Sequence, residues 1–378
     1  MNSIEYKQLI WWRDVPIDVE WGLLDYLSKF WKGKIVIVCA NDFSSERVSC
    51  SWKKQGDNHM EFIIGNLDSD INKNKITNLI CSDSIHLFSG IRGDHHKFLN
   101  LVKKSKDNNC ILIMESPSLY GSKMKCTIKK IVYPFLYGFY NLKYGKMFKA
   151  LLVMGENAKD IYVKYGWEKD KIFEFMYLPK IESIAKKSDN CNSRGLYIGR
   201  FDFETKGLKT LMDAIDKMHP RKKWQIDFVG GYGKNKDEVI EWCSKKENVK
   251  FLGSWPSDDV IQNMAKYDFC IAPSLYDGWN MTPLQSISAG IGCIISDNAG
   301  STSLIKNSKS GAIFKAGNVN ELKQLLEYVI DDNEIKIKWK NNAIQFQKCV
   351  CNAAVGEYFV KILRFIFEEG GAPKCPWT

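Results

Sequence analysis

Short apolar runs alternate along this chain with amphipathic or polar stretches. In the first half, strand-like runs occur at Tyr6 to Trp11, Lys34 to Ala40, Glu61 to Gly65, Ser84 to Phe88, Cys110 to Met114 and Ala150 to Met154, with helical or loop segments between them. That alternation predicts a parallel sheet flanked by helices. The second half repeats it, with strands at Gly195 to Ile198, Gln225 to Val229, Val249 to Leu252, Phe269 to Ala272, Gly292 to Ser296 and Ala312 to Phe314. Helices are predicted at Leu208 to Met218, Glu321 to Ile330 and about Val355 to Glu368. Lys180 to Asn192 is polar and aperiodic, so the interdomain linker is placed there.

Composition agrees with two domains of ordinary size, since 378 residues at 45% hydrophobic content can build two cores. The twelve cysteines show no CxxC spacing, and the nearest pair, Cys349 and Cys351, is too close for a usual zinc or redox motif. Cys39, Cys110, Cys270 and Cys293 fall inside predicted buried strands, where a free thiol acts as a small hydrophobe. A reducing cytoplasm is the expected location. Met1 to Tyr6 is polar, so no signal peptide is expected, and no run reaches transmembrane length.

Charge adds a feature that periodicity alone does not show. The net charge is +10, and no acidic residue lies between Glu115 and Glu156, where Lys123, Lys125, Lys129, Lys130, Lys143, Lys146 and Lys149 are interleaved with Tyr133, Phe135, Leu136, Tyr137, Phe139, Tyr140 and Phe148. Such a basic, aromatic, helical segment suits an anionic membrane surface, to which each cation contributes about 1 kcal/mol. The alternative is a solvated lysine face over a buried aromatic core. Nucleic acid is not expected as a partner, because no RNP-like, zinc-finger or helix-turn-helix pattern accompanies the charge.

Two short stretches carry the candidate chemistry. Gly199-Arg200 and Lys206-Gly207 put two cations between a predicted strand and a predicted helix, where a pyrophosphate can be gripped. Asp277-Gly278-Trp279-Asn280-Met281-Thr282-Pro283-Leu284-Gln285 offers backbone N–H groups at a helix start, and such a terminus attracts phosphate through unpaired donors and its dipole.

With Gly230-Gly231-Tyr232-Gly233, Val249 to Gly253, Ala272-Pro273-Ser274 and Ser296 to Gly300, these stretches form an ordered series over about residues 190 to 330. In that order the chain resembles the retaining glycosyltransferases of family 4, similar to bacterial surface-polysaccharide enzymes. The resemblance implies an α/β GT-B fold, two facing Rossmann-like domains with a deep interdomain cleft. It places an acceptor domain at 1–182 with 355–378 crossing back onto it, and a donor domain at 190–350. It implies that Arg200 and Lys206 neutralise the donor diphosphate, that Asp277 meets the transferred sugar, and that Gly199, Gly231, Leu252, Gly278, Trp279, Asn280, Met281, Thr282 and Gln285 line the nucleotide-sugar site. Asp277 and Gln285 stand where the family has two glutamates eight residues apart. Asp shortens the reach toward the sugar, while Gln can still hold a ribose hydroxyl; Thr282 to Gln285 also fits a capping box with Pro283 at the first helical position.

In the first half the family's glycine-rich loop is replaced by Trp12-Arg13-Asp14-Val15-Pro16, and Glu115 stands where relatives have a histidine near the reacting sugar. His86 reads as a core residue, and adjacent His95 and His96 would point apart, so no metal site and no cofactor are expected. The implied reaction retains configuration, with the leaving phosphate as the only base needed. A soluble enzyme with a basic aromatic surface suits a lipid-linked saccharide acceptor at the cytoplasmic leaflet of the inner membrane. Two alternatives share the fold: an inactive nucleotide-sugar-binding partner, favoured by Asp277 and Gln285, and a sugar-nucleotide epimerase.

Overall fold

The computed structural model describes residues 8–16, 20–43, 60–65, 70–81, 83–105, 109–155, 157–180, 193–368 and 370–378. They form two compact units: the residues up to Lys180 with Val355–Cys375, and those from 193 to Ala354 with Pro376–Thr378.

The first unit is built on strands β1 (Gln8–Arg13), β2 (Lys34–Cys39), β3 (Met60–Ile64), β4 (Ser84–Ser89), β5 (Cys110–Glu115), β6 (Phe148–Met154) and β7 (Ile172–Glu174). They pair in the order β3-β2-β1-β4-β5-β6-β7, all parallel. Strands such as Lys34–Cys39 and Cys110–Glu115 are buried along nearly their whole length, as a sheet covered on both faces requires. The three-residue β7 has no counterpart in the sequence reading, being too short to show a period. Helix Asn352–Phe367 completes this unit. Val355, Phe359, Ile362 and Leu363 are fully buried, Phe359 meets Phe175, and Gly356 packs on the Tyr26 ring so closely that a Cβ there would lie 2.2 Å from a ring carbon.

The second unit repeats the design with β8 (Ser193–Ile198), β9 (Trp224–Val229), β10 (Val249–Phe251), β11 (Phe269–Ala272), β12 (Gly292–Ser296) and β13 (Gly311–Phe314) in the parallel order β10-β9-β8-β11-β12-β13. Helix Leu208–Lys217 shows why the pattern folds: Leu208, Leu211, Met212, Ala214 and Ile215 are buried, while Lys209 and Asp213 pair outside at 2.5 Å. Helix Asn333–Val350 was missed in the sequence, because Ile337 and Ile344 face solvent and blur its apolar stripe. Its start was legible, since Asp332 accepts from Glu334 N–H and Ile335 N–H. Apart from Lys180, the linker expectation at Lys180 to Asn192 lies outside the described residues. Cys39, Cys110, Cys270 and Cys293 are buried and take part in no disulfide among the described residues.

Candidate functional site

Because the second sheet is parallel, the carboxyl ends of its strands share one edge, and the loops leaving them hold most of the expected site. Gly199 and Arg200 follow β8, Gly231 follows β9, Leu252 follows β10, and the Asp277 loop follows β11. Backbone bonds tie these loops together: Gly199 N–H donates to Val229 O (3.0 Å), Phe201 N–H to Tyr232 O (2.9 Å), Gly230 N–H to Gly253 O (2.9 Å) and Leu275 N–H to Thr205 O (2.8 Å). Gly207 adopts φ +65°, and a Cβ there would lie 1.9 Å from Pro273 O, so only glycine lets the Lys206 turn approach the Asp277 loop.

The two cations are held in different ways. Lys206 Nζ donates to Asp277 Oδ2 at 2.5 Å, a pair partly open to solvent. Arg200 keeps 42% of its side chain exposed, and its Nη2 lies 3.2 Å from Asp202 Oδ2 and 3.3 Å from Thr205 Oγ1. Asp202 also starts the short helix Phe203–Lys206, its Oδ1 accepting from Glu204 N–H (2.9 Å) and Thr205 N–H (3.3 Å). Burial opposes its charge, but the hydrogen bonds from Thr205 and Glu204 and the Arg200 charge prevail and hold it below the ordinary carboxylate range. Behind this turn Tyr197 donates to Arg200 O at 2.8 Å, and burial, with Asp277 and Asp202 nearby, pushes its phenol upward.

The Asp277 loop is anchored on its far side. Asp277 N–H donates to Asn298 O (3.2 Å), Gly300 N–H returns to Asp277 O (3.0 Å), and Ser301 Oγ donates to Asn280 O (2.8 Å). Asn280 sits at φ +70°, a conformation its short polar side chain tolerates, and its Oδ1 accepts from Thr282 N–H at 3.0 Å. Helix Thr282–Ala289 is therefore capped from Asn280. Met281 occupies the N-cap position with no side-chain bond, and Pro283 is the second helical residue rather than the first. This corrects the capping-box reading, in which Thr282 and Gln285 cap reciprocally: a left-handed Asn two residues upstream supplies the acceptor. Trp279 is buried, and Gln285 is half-buried on the first turn.

Glu115 lies in the first unit, at the end of β5. Tyr177 Oη donates to Glu115 Oε1 at 2.9 Å, and Tyr162 Oη to Glu115 O at 2.8 Å. Burial raises the Tyr177 phenol well above its usual range, reinforced by Glu115 and Glu20. At the end of β1, Arg13 forms a buried ion pair with Glu20 and lies over the Trp11 ring. Tyr177, Asp202 and Thr205 were missed in the sequence; only Asp202 left a signal, as a capping residue just before a helical turn. Trp12 Nε1 donates to His86 Nδ1 (3.1 Å), which places His86 in the core. His95 meets Asp14 Oδ1 and Gly90 O, whereas His96 meets Ile91 O and Tyr144 Oη, so the adjacent rings serve separate partners.

The basic segment folds as helix Lys123–Tyr144 with two unlike faces. Tyr133, Tyr137, Tyr140 and Tyr144 pack on the core, Tyr137 stacking on Tyr165 at 5.5 Å. Met124, Ile128, Ile131, Phe135, Phe139 and Leu142 form an exposed stripe, from 51% for Ile128 to 85% for Leu142. The aromatic core of the alternative reading is thus partly present: the tyrosines and Phe148 are inside, but Phe135 and Phe139 face out among the lysines. Lys125, Lys130, Lys143, Lys146 and Lys149 are exposed, while Lys129 donates to Tyr120 O at 2.6 Å. Among the described residues no helix is long and apolar enough to cross a membrane.

Residues 185–346 match the family described as Glycosyl transferases group 1. An uncharacterized glycosyltransferase of Methanocaldococcus jannaschii is 23% identical over 242 residues, covering 63% of this chain and 59% of that protein. The lipopolysaccharide 1,6-galactosyltransferase of Escherichia coli K12 is 27% identical over 148 residues, covering 36% of this chain and 39% of that protein. The chain thus spans less than two thirds of the length of these relatives. Among solved structures, Anabaena HepE in complex with UDP matches with a TM-score of 0.70 at 13% identity, over 95% of this chain and 100% of that one. At such identity the likeness establishes the fold, which is GT-B.

Proposed function

We propose that this chain, whose residues 185–346 match the family Glycosyl transferases group 1 and whose fold is GT-B, moves a sugar from a nucleotide-sugar donor to a saccharide acceptor with retention of configuration. The observation that carries this reading is the pair of cations, Arg200 and Lys206, held at the carboxyl edge of the matched domain's sheet. As the bond from sugar to phosphate breaks, negative charge grows on the leaving diphosphate. Cations already fixed in place stabilise that charge without reorganising. The acceptor hydroxyl attacks from the face the diphosphate leaves, and the departing phosphate oxygen takes its proton. Asp277 meets the transferred sugar, Gln285 holds a ribose hydroxyl, and Glu115 accepts from a sugar hydroxyl. Two side-chain cations meet the diphosphate, and no resident metal ion takes part.

The acceptor is proposed to be a lipid-linked saccharide, with helix Lys123–Tyr144 resting on an anionic bilayer at the cytoplasmic face. An exposed apolar stripe bordered by lysines supports that occupant over a protein groove, because its charge complements acidic headgroups. A second reading, donor binding without turnover, draws on Asp277, whose carboxylate is engaged by Lys206.

The test is calorimetry and donor hydrolysis with UDP, GDP, ADP, dTDP and their common sugars, on the wild type, Arg200→Ala and Lys206→Ala. One nucleotide should bind, and each variant should lower turnover by several orders of magnitude. Near-normal rates in both variants would remove the donor-site assignment. Tight binding with no turnover, even with lipid extract added, would establish the second reading.

A further inference from the structure

Arg200 is a long, partly exposed side chain beside a carboxylate, an odd arrangement for a group meant to meet an anion, since Asp202 partly cancels its charge. The division of labour within Asp202 accounts for it. Oδ1 faces the short helix Phe203–Lys206 and accepts from Glu204 N–H and Thr205 N–H; a cap needs nothing more. Oδ2 is turned the other way, accepting from Thr205 Oγ1 at 3.0 Å and lying 3.2 Å from Arg200 Nη2. The Thr205 hydroxyl closes the triangle, accepting from Arg200 Nη2 at 3.3 Å. Thr205 O also accepts from Leu275 N–H (2.8 Å) and Tyr276 N–H (3.2 Å), which ties this fork to the loop that carries Asp277.

Resting on the donor-site reading above, we infer that Asp202 and Thr205 are positioning residues that fix the Arg200 guanidinium in one orientation, with its remaining N–H groups held for the charge that develops on the leaving diphosphate. A guanidinium loose in solvent must be ordered during the reaction, whereas one held by a carboxylate and a hydroxyl is ordered beforehand. The partial loss of charge is offset by that pre-organisation, because the site needs alignment at the moment of bond breaking more than it needs attraction for the bound donor.

The test separates the two jobs of Asp202. Asn caps a helix about as well as Asp, so Asp202→Asn keeps the Oδ1 function but turns an amide donor toward the Arg200 donors. Kinetics of donor hydrolysis and melting temperature are measured for Asp202→Asn, Asp202→Ala, Thr205→Val, Thr205→Ser and Arg200→Ala. The expected result is that Asp202→Asn melts close to the wild type yet loses about 10- to 100-fold in kcat, with a smaller change in donor KM. Asp202→Ala should show that loss together with a lower melting temperature. Thr205→Ser should recover most of what Thr205→Val loses. Wild-type kcat in Asp202→Asn, alongside an inactive Arg200→Ala, would overturn the positioning role and leave the donor site standing. Wild-type kinetics in Arg200→Ala would overturn the donor-site reading, and the positioning role with it.

Discussion

Replacing Phe135, Phe139 and Leu142 together by Ser tests whether the helix Lys123–Tyr144 meets lipid through its apolar stripe or through charge alone. Their exposures are 77%, 56% and 85%, so the protein's own fold gains little from them. Full burial of such a side chain is worth about 1.5–3 kcal/mol, which scaled by those exposures comes to roughly 5 kcal/mol for the three. An interfacial helix immerses only part of each side chain, and half that figure corresponds to about a 60-fold loss in partitioning. Reversing Lys130 and Lys146 to Glu removes about 2 kcal/mol of attraction to anionic lipid, an effect that salt screens. Flotation on vesicles with 30 mol% anionic lipid, at two salt concentrations, distinguishes the contributions. The serine variant should lose binding at both, the glutamate variant chiefly at low salt, and both should melt within a few degrees of the wild type. A serine variant that floats as well as the wild type would refute insertion of the stripe.

Three further outcomes follow from the second unit. Gly207→Ala puts a Cβ 1.9 Å from Pro273 O at a left-handed φ, so thermal unfolding should show a loss of at least about 2 kcal/mol and hydrolysis should fall as the Lys206–Asp277 contact opens. Asn280→Gly should cost only about a few tenths of a kcal/mol, because the lost cap on Thr282 N–H is offset by glycine's ease at φ +70°, whereas Asn280→Ala should cost about 1 kcal/mol more because alanine resists that conformation, as denaturant unfolding can measure. Asp202 has a folded-state pKa below its unfolded value, so its stabilisation is complete above the unfolded carboxylate pKa of about 3.9 and is lost as pH falls through the folded value. Asp202→Asn should therefore show a smaller loss of stability than the wild type between pH 5 and pH 3.

The two parallel sheets were legible because strands buried on both faces read as unbroken apolar runs, and nearly every expected strand is present within a residue or two. What escaped was short or two-faced: β7 has three residues, and helix Asn333–Val350 carries exposed isoleucines that spoil its period. In the candidate site, the loop glycines and cations stood out because a site of the proposed kind needs particular residue types at fixed places after a strand. The partners that hold them did not. Thr205 and Tyr177 act through contacts made by folding, and nothing local distinguishes them from any other polar residue. The capping reading failed for a related reason, since Asn280 supplies the acceptor by taking a backbone conformation that composition does not announce.

Helix Asn352–Phe367 bears on the order in which the protein can assemble during synthesis. The first unit's strands are complete when residue 174 has emerged, yet the ring that covers Phe175 belongs to Phe359, and the flat spot beneath Tyr26 is Gly356. At ordinary translation rates of about 5–20 residues per second, these partners arrive roughly 10 to 40 s later. During that interval residues 193–354 of the second unit are made and are free to fold, while the older sheet waits with an apolar flank uncovered. The half of the chain made first thus waits longest for its cover, and it is the half for which a chaperone has most to protect.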